Sequence, residues 1–254
     1  VIMYTGGTTG LPKGVMKSHA NLFSQYFIMI YDHEFNFDDT ILLVMPCCHV
    51  NSLFYSFVVT WVGGTVMCYN MVSFNPESLI KCFSDHGITF TSLVPTHYIM
   101  MLALPDEVKA KYNLNAIKKL LCSSAPARRD TKQGILAMFP NSRLFEAYGS
   151  TEAGCVTILK PEEQMKKLGS IGREAIGTDI LEIYDEDGKL ITEPNKIGEI
   201  YSRSPMIFES YWKDPEKTKN AMKGQYFSAG DMGYRDEEGY YYLVDRKANM
   251  IISG

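Results

Sequence analysis

Apolar residues follow two patterns that alternate through the first two thirds of the chain. Apolar positions three and four apart predict a helix over residues 19–34, with Ser18 as its N-cap. The solid apolar run at residues 40–45 predicts a strand that is buried on both faces. The same reading predicts helices over residues 52–62, 76–87, from 95 and over 129–139, and strands over 65–69, 88–94, 119–122 and 143–147.

This alternation of strands and helices predicts an α/β fold with a mostly parallel sheet and helices on its faces over residues 1–167. The pattern changes near Leu168, where short apolar runs are separated by Gly, Asp, Asn and Pro. Residues 168–244 are therefore predicted to form antiparallel hairpins in a small barrel-like or sandwich subdomain, with one short helix over residues 214–222.

Composition narrows the class of protein. The 254 residues are 46% hydrophobic and 21% charged, which is ordinary for a globular protein with one large or two smaller domains. The net charge of −4 offers no general basic surface for nucleic acid or an anionic membrane. The longest apolar runs are too short to span a bilayer.

The six cysteines include the neighbours Cys47 and Cys48 but no Cys-x-x-Cys spacing, so they are predicted to be reduced thiols of a cytoplasmic protein. His49 follows that pair, but no second ligand cluster accompanies it to complete a zinc site. The chain begins with Val inside a predicted strand and ends at Gly254, which predicts a piece of a longer protein.

Residues 4–14 combine four glycines, three threonines and one lysine directly after an apolar run. Glycines let backbone N–H groups approach a bound anion, and the hydroxyls and the ammonium add donors, so the loop suits a polyphosphate. It is neither a P-loop nor a dinucleotide fingerprint, and a solvated turn stays open at this point. The loops after Tyr4, Cys122 and Ala147 are all predicted at carboxyl ends of strands, where they can face one crevice.

Three further motifs follow that loop in order: YGSTE at residues 148–152, YFSAGD at 226–231 and DRKANMIISG at 245–254. With them, the whole chain resembles the adenylate-forming superfamily of acyl-CoA synthetases, aryl-CoA ligases, firefly luciferase and peptide-synthetase adenylation domains. The resemblance implies the second half of a large N-terminal domain, with residues 245–254 starting the hinge to a C-terminal domain that the chain lacks. It also implies a two-step reaction, in which a carboxylate and ATP give an acyl-adenylate and coenzyme A then displaces AMP.

The resemblance assigns roles to the first loop. Thr5, Thr8, Thr9 and Lys13 are expected to hold the β- and γ-phosphates of ATP. The family usually has a hydroxyl residue where this chain has Gly6. We therefore expect weaker phosphate binding at that position.

The adenine and ribose sites are implied in the same way. An aromatic, Tyr148, is expected to stack on adenine between two backbone segments. These segments supply Ser124, Ala125, Glu146, Ala147 and Gly149.

Four further residues complete the implied nucleotide site. Thr151 is expected to donate to the α-phosphate, Glu152 to hold Mg²⁺, Asp231 to accept both ribose hydroxyls, and Arg246 to contact ribose and phosphate. Read alone, Glu152 is typical of a helix cap or a solvated residue and Asp231 of a turn. Ala248 occupies the hinge position, which weakens any side-chain role there.

His49 is expected beside the carboxylate of the acyl substrate, with a buried structural histidine as the alternative. The acyl pocket is expected to be lined by residues near Val50, Asn51, Gly63, Gly64 and Ala147.

The leading prediction is an ATP-dependent carboxylic acid–CoA ligase for fatty or aryl acids, with the present chain inactive alone. An adenylation domain that loads a carrier protein and a non-catalytic nucleotide-binding body are the alternatives. A small-molecule acid, ATP and coenzyme A are the expected partners, and a homo-oligomer stays open.

Overall fold

The computed structural model describes residues 1–6, 11–70, 73–175 and 180–247. The chain divides into two compact units. The terminal unit comprises Val1–Ile28, Tyr148–Ile158 and Ser170–Gly254, and the central unit comprises Met29–Ala147 and Leu159–Gly169. The predicted site residues Thr8 and Thr9, and the hinge residue Ala248, lie outside the described residues.

The helices and strands are numbered in chain order. The helices are α1 (His19–His33), α2 (Val50–Trp61), α3 (Pro76–His86), α4 (Pro95–Leu102), α5 (Asp106–Lys109), α6 (Arg129–Met138) and α7 (Pro215–Ala221). The strands are β1 (Ile2–Thr5), β2 (Lys13–Met16), β3 (Thr40–Leu43), β4 (Thr65–Cys68), β5 (Phe90–Leu93), β6 (Lys119–Ser123), β7 (Arg143–Ser150), β8 (Gly154–Leu159), β9 (Ser170–Glu174), β10 (Ile180–Tyr184), β11 (Gly198–Arg203), β12 (Ser210–Tyr211), β13 (Met222–Lys223), β14 (Tyr226–Phe227), β15 (Asp231–Arg235) and β16 (Tyr241–Arg246).

The central unit is built on a parallel sheet in the order β4-β3-β5-β6-β7, as the strand–helix alternation predicts. Every residue of β5 and β6 is buried, including polar residues such as Thr91 and Lys119, because the strands of a parallel sheet are covered on both faces. Helices α3, α4 and α6 pack their apolar faces into the same core, where Phe83, Tyr98 and Phe139 are almost completely buried. The α/β fold class is confirmed.

Local signals set the bounds of α3. The side chain of Asn75 accepts a hydrogen bond from the Ser78 N–H at 2.8 Å, and Pro76 takes the first helical position. Gly87 ends the helix with φ 58°, a left-handed conformation that glycine adopts without steric cost. The predicted helix is confirmed at both ends.

The terminal unit is antiparallel. One sheet runs β8-β9-β16-β15-β11, with β10 and β14 also on β11 and β13 on β14; a second sheet runs β1-β2-β12. The predicted hairpins are present, including the turn between β15 and β16. Strand pairing ends at β13 in the part of the chain that is described, so the sheet is open and the barrel-like prediction is wrong.

The placement of β1 differs from the prediction. It pairs antiparallel with β2 in the register Tyr4↔Gly14 and Thr5↔Lys13, and not within the parallel sheet. The Gly/Thr loop therefore connects the strands of a hairpin.

Within the described residues, no helix combines the length and apolar character that crossing a bilayer requires.

Candidate functional site

Glu152 lies in the turn between β7 and β8 and is only 6% exposed. The hydroxyl of Tyr211 donates to its Oε1 at 2.6 Å, and the Nζ of Lys13 lies 3.7 Å from the same oxygen. Lys13 also donates to the Tyr211 hydroxyl at 3.1 Å and lies 4.6 Å from the centre of its ring. The second carboxylate oxygen, Oε2, accepts no hydrogen bond from the described residues. We call Lys13, Lys17, Glu152 and Tyr211 the Glu152 cluster.

Lys17 adds a second, buried cation to the cluster. Its side chain is 2% exposed, and its Nζ donates to the carbonyl of Met206 at 2.5 Å. Burial lowers the pKa of Lys17 to about 7, while the nearby Glu152 carboxylate acts in the opposite direction. Glu152 thus has one ammonium beside it, that of Lys13, and a second amine, that of Lys17, near enough to influence electrostatically. Because the lowered pKa leaves Lys17 only partly charged at neutral pH, an approaching phosphate would favour its protonated form.

Tyr211 stays protonated at neutral pH. Burial raises its pKa, and the adjacent carboxylate of Glu152 raises it further. The hydroxyl is therefore a fixed donor to Glu152 and an acceptor for Lys13.

A second group of polar residues in the terminal unit centres on Asp231, which is 8% exposed. Asp231 and Arg246 face each other across β15 and β16, and the Nε of Arg246 lies 3.1 Å from Oδ1. The hydroxyl of Tyr148 donates to Oδ2 at 2.7 Å. Burial, followed by the charge of Asp231, raises the pKa of Tyr148 well above its usual value, so that hydroxyl also remains a donor. Of the residues predicted for adenine and ribose, the structure brings Tyr148, Asp231 and Arg246 together within the terminal unit.

A small cavity adjoins this group and is lined by apolar side chains and by three residues that carry hydroxyls. It is lined by Tyr148, Ser150, Ala153, Val156, Ile200, Ser202, Phe227 and Ala229.

Gly149 lies where two backbone segments almost touch. A Cβ atom there would lie 2.0 Å from the carbonyl oxygen of Gly154, so no other residue fits. The Ala153 N–H donates to Ser150 Oγ at 3.0 Å, which closes the turn containing Thr151 and Glu152. The YGSTE sequence therefore fixes the backbone that presents Glu152.

Glu146 has a structural role in the central unit. Its Oε1 accepts a hydrogen bond from the Ala127 N–H at 2.8 Å, and its Oε2 pairs with the completely buried ammonium of Lys132. The side chain thus ties β7 to the segment that follows β6. Ser124 and Ala125 are exposed in that segment, and Ser124 has φ 71°.

His49 is the exposed N-cap residue of α2 and makes no side-chain capping bond. The alternative of a buried structural histidine is therefore wrong. Two residues along, the side-chain amide of Asn51 donates to Ser92 Oγ at 2.8 Å and to Ser123 Oγ at 2.9 Å. Both serines lie at carboxyl ends of parallel strands, where ligands of such sheets bind. Ala147 is the register partner of Ser123.

Gly63 and Gly64 lie at the opposite end of α2, whose 12 residues span about 18 Å. A Cβ atom on Gly64 would lie 2.7 Å from both the Asp39 carbonyl oxygen and a Val59 methyl group. These glycines make a tight connection to β4 at the amino ends of the strands. The expectation that they line the acyl pocket is wrong.

Sequence reasoning missed Tyr211 and Lys17, because neither belongs to a recognisable motif. Thr5 is the last residue of β1 and the register partner of Lys13.

Comparison with known proteins gives consistent matches. A family model described as "AMP-binding enzyme" matches residues 1–212. A long-chain-fatty-acid–CoA ligase of Bacillus subtilis is 34% identical over all of this chain and 45% of its own length. A 2-succinylbenzoate–CoA ligase of Oceanobacillus iheyensis is 30% identical over all of the chain and 50% of its own length.

Among solved structures, the O-succinylbenzoate coenzyme A synthetase of Bacillus subtilis in complex with ATP and magnesium ion superposes with a TM-score of 0.86. It is 28% identical, and the match covers all of this chain and 51% of that one. The present chain thus spans about half the length of the relatives it matches.

Proposed function

Because this chain belongs to the AMP-binding enzyme family, we propose that its parent protein is an AMP-forming carboxylic acid–CoA ligase for fatty or aryl acids. The observation that carries the proposal is the charge arrangement of the terminal unit. Lys13 lies beside Glu152 and Lys17 within its electrostatic influence, which suits a magnesium-bound polyphosphate, and a buried acceptor, Asp231, lies beside Tyr148, which suits a nucleoside.

The proposed reaction has two displacements. An oxygen of the carboxylic acid attacks the α-phosphorus of ATP, and the bond to pyrophosphate breaks. The thiolate sulfur of coenzyme A then attacks the acyl carbon. The bond between that carbon and the bridging oxygen of the adenylate breaks, and AMP leaves with this oxygen. Both steps depend on stabilising phosphate charge in a preorganised site more than on an acid or base.

The residues of the terminal unit fit the first step. Lys13 would exchange its contact with Glu152 for one with the leaving pyrophosphate. The resemblance adds Thr5, Thr8 and Thr9 as further partners of the phosphates. Thr151 donates to the α-phosphate.

The residues around Glu152 also fit magnesium. Glu152 would hold Mg²⁺ through Oε2, because a hard cation takes carboxylate oxygens and Oε1 is already engaged. Magnesium supplies charge neutralisation of the phosphates when bound.

Asp231 accepts the ribose hydroxyls, and Arg246 supports it from the neighbouring strand. Tyr148 stacks on adenine while its hydroxyl fixes Asp231. Gly149 contributes its backbone to the adenine site.

In the central unit, the resemblance assigns nucleotide contacts to Ser124, Ala125 and the backbone of Glu146 and Ala147. The Glu146 side chain holds the segment after β6 in place. His49, exposed at the start of α2, contacts the acid's carboxylate. Asn51 fixes the polar end of the acyl pocket through Ser92 and Ser123.

Three further properties of the parent protein are proposals: functional boundaries at residues 167 and 244, a cytoplasmic location and a homo-oligomer. The chain alone is expected to turn over negligibly, because the resemblance places a catalytic lysine of the family in the C-terminal domain.

The test is a panel of fatty and aryl acids assayed with the parent protein for AMP release that depends on coenzyme A. The proposal expects release with at least one acid. Release that requires a carrier protein in place of coenzyme A would favour the carrier-loading alternative. Nucleotide binding without acid-dependent release across the panel would favour the non-catalytic one.

The chain itself is tested separately by ATP–pyrophosphate exchange with the same acids. We expect no exchange above background, and robust exchange with any acid would contradict the proposed need for a catalytic lysine from outside this chain.

A further inference from the structure

Tyr211 is held in the Glu152 cluster by contacts on three sides. Its strand β12 pairs with β2, so that Tyr211 faces Val15. The backbone N–H of Trp212 donates to the Gly14 carbonyl at 2.7 Å, and the Tyr211 N–H donates to Thr218 Oγ1 at 2.9 Å. The residue is 3% exposed. The phenol therefore has little freedom to leave Glu152.

The contact is also chemically one-sided. A tyrosine hydroxyl has a single proton, and here that proton goes to Oε1 of Glu152 at 2.6 Å. Lys13 donates to the phenol oxygen, which acts as an acceptor in that contact. Lys13 can leave for a phosphate without breaking the bond between Tyr211 and Glu152, whereas a carboxylate without Tyr211 would turn to the two lysines.

We propose that Tyr211 is a positioning residue for magnesium binding, anchoring Oε1 of Glu152 so that Oε2 remains available to the metal. The inference rests on the proposed function, which gives Glu152 its role. Without the phenol, Lys13 and Lys17 compete with the cation for both carboxylate oxygens. Loss of an outer partner that orients a metal ligand typically weakens metal affinity by about 10–100-fold.

The test uses the parent protein with Mn²⁺ as a paramagnetic probe, titrated in the presence of a non-hydrolysable ATP analogue. Four proteins form a double-mutant cycle: wild type, Tyr211→Phe, Glu152→Gln and the double variant. We expect Tyr211→Phe to weaken Mn²⁺ binding by about 10–100-fold in the wild-type background and by less than about twofold when Glu152 is already replaced. Equal effects in both backgrounds, or no effect in either, would overturn the proposal.

A matched control is available on the same chain. Tyr112 donates its hydroxyl to Glu77 Oε1 at 3.0 Å, in the central unit and outside the candidate site. Tyr112→Phe removes the same type of bond and is expected to leave Mn²⁺ binding unchanged. A loss equal to that of Tyr211→Phe would show that the effect is general, and would overturn the proposal.

Activity and folding provide two further readouts. In ATP–pyrophosphate exchange, Tyr211→Phe should raise the Mg²⁺ concentration for half-activation while leaving the KM for the acid within about twofold. Saturating Mg²⁺ should restore most of the rate, which it would not do for a folding defect. If the phenylalanine variant does not fold, Tyr211→His keeps a ring and a donor, and its effect on Mn²⁺ binding must depend on Glu152 in the same cycle.

The cycle separates the two proposals. Coupling between Tyr211 and Glu152 in a protein that activates no acid would leave the role of Tyr211 standing and refute the ligase function. Acid activation without coupling between Tyr211 and Glu152 in Mn²⁺ binding would support the ligase function and refute the role of Tyr211.

Discussion

Lys132 forms the most deeply buried ion pair described in the central unit. It lies on α6 with none of its side chain exposed, and its partner Glu146 on β7 has 7% of its side chain exposed. Its Nζ also lies 3.4 Å from the carbonyl oxygen of Gln164. We predict that Lys132→Met strongly destabilises the protein, because Glu146 is left buried with only the Ala127 N–H as a partner.

The size of the effect follows from the burial. Removing one partner of a buried ion pair costs about 3–5 kcal/mol, and Met replaces most of the lost volume, so the missing charge accounts for most of the change. At about 1–2 °C for each kcal/mol in a parent protein about twice the length of this chain, the melting temperature should fall by about 3–10 °C. Lys132→Met combined with Glu146→Gln should recover part of this loss, since no unpaired charge remains.

The assay is thermal unfolding of the parent protein, with Lys81→Met as the control. Lys81 pairs with Asp85 one helical turn away, and their side chains are 57% and 46% exposed. Because solvent screens such an exposed pair, its loss should change stability little, and the control should melt within about 2 °C of wild type. If Lys132→Met melted as the control does, the assignment of Lys132 and Glu146 as a structural pair would be refuted.

Two further predictions concern stability. Gly149→Ala should cost about 3 kcal/mol or more, because its Cβ would lie 2.0 Å from the Gly154 carbonyl; a melting temperature equal to that of wild type would contradict this. Burial lowers the pKa of His33 from an ordinary 6.5 to about 4. The unfolded chain therefore binds the proton more readily than the folded one. The free energy of unfolding should fall by about 3 kcal/mol as the pH falls from about 6.5 to 4. Chemical denaturation at several pH values should show this slope in wild type and a weaker one in His33→Leu, and identical slopes would show that His33 does not titrate as described.

Local patterns predicted the central unit well. The solid apolar run that contains β3 and the capping residues Asn75 and Gly87 each specify structure within a few neighbours in sequence. Such signals depend on burial and on backbone conformation, and both can be read from residue type.

The terminal unit was harder to predict because its pairings are distant in sequence. Strand β12 has two residues and pairs with β2, and the partners Ser210 and Met16 are 194 residues apart in sequence. A two-residue strand has no periodicity, and β2 has only four residues, so the antiparallel partners of β1 could not be recognised. The same limit explains why the sequence predicted a barrel-like subdomain where the structure has an open sheet.

The candidate site shows the same division. Tyr148, Glu152 and Asp231 were found through their motifs, and the structure shows which of them contact each other. Tyr211 and Lys17 were not found, since tertiary pairing alone brings them to Glu152. A lysine between Met16 and Ser18 gave no sign that it is 2% exposed.

The central claim is that the parent protein forms acyl-adenylates at a site in which Glu152 holds magnesium. The most direct measurement is acid-dependent, Mg²⁺-dependent adenylate formation by the wild-type parent and by Glu152→Ala, with thermal melting to establish that the variant is folded. We expect adenylate formation by the wild type and none above background by a folded Glu152→Ala protein. Near-normal adenylate formation by that variant would contradict it.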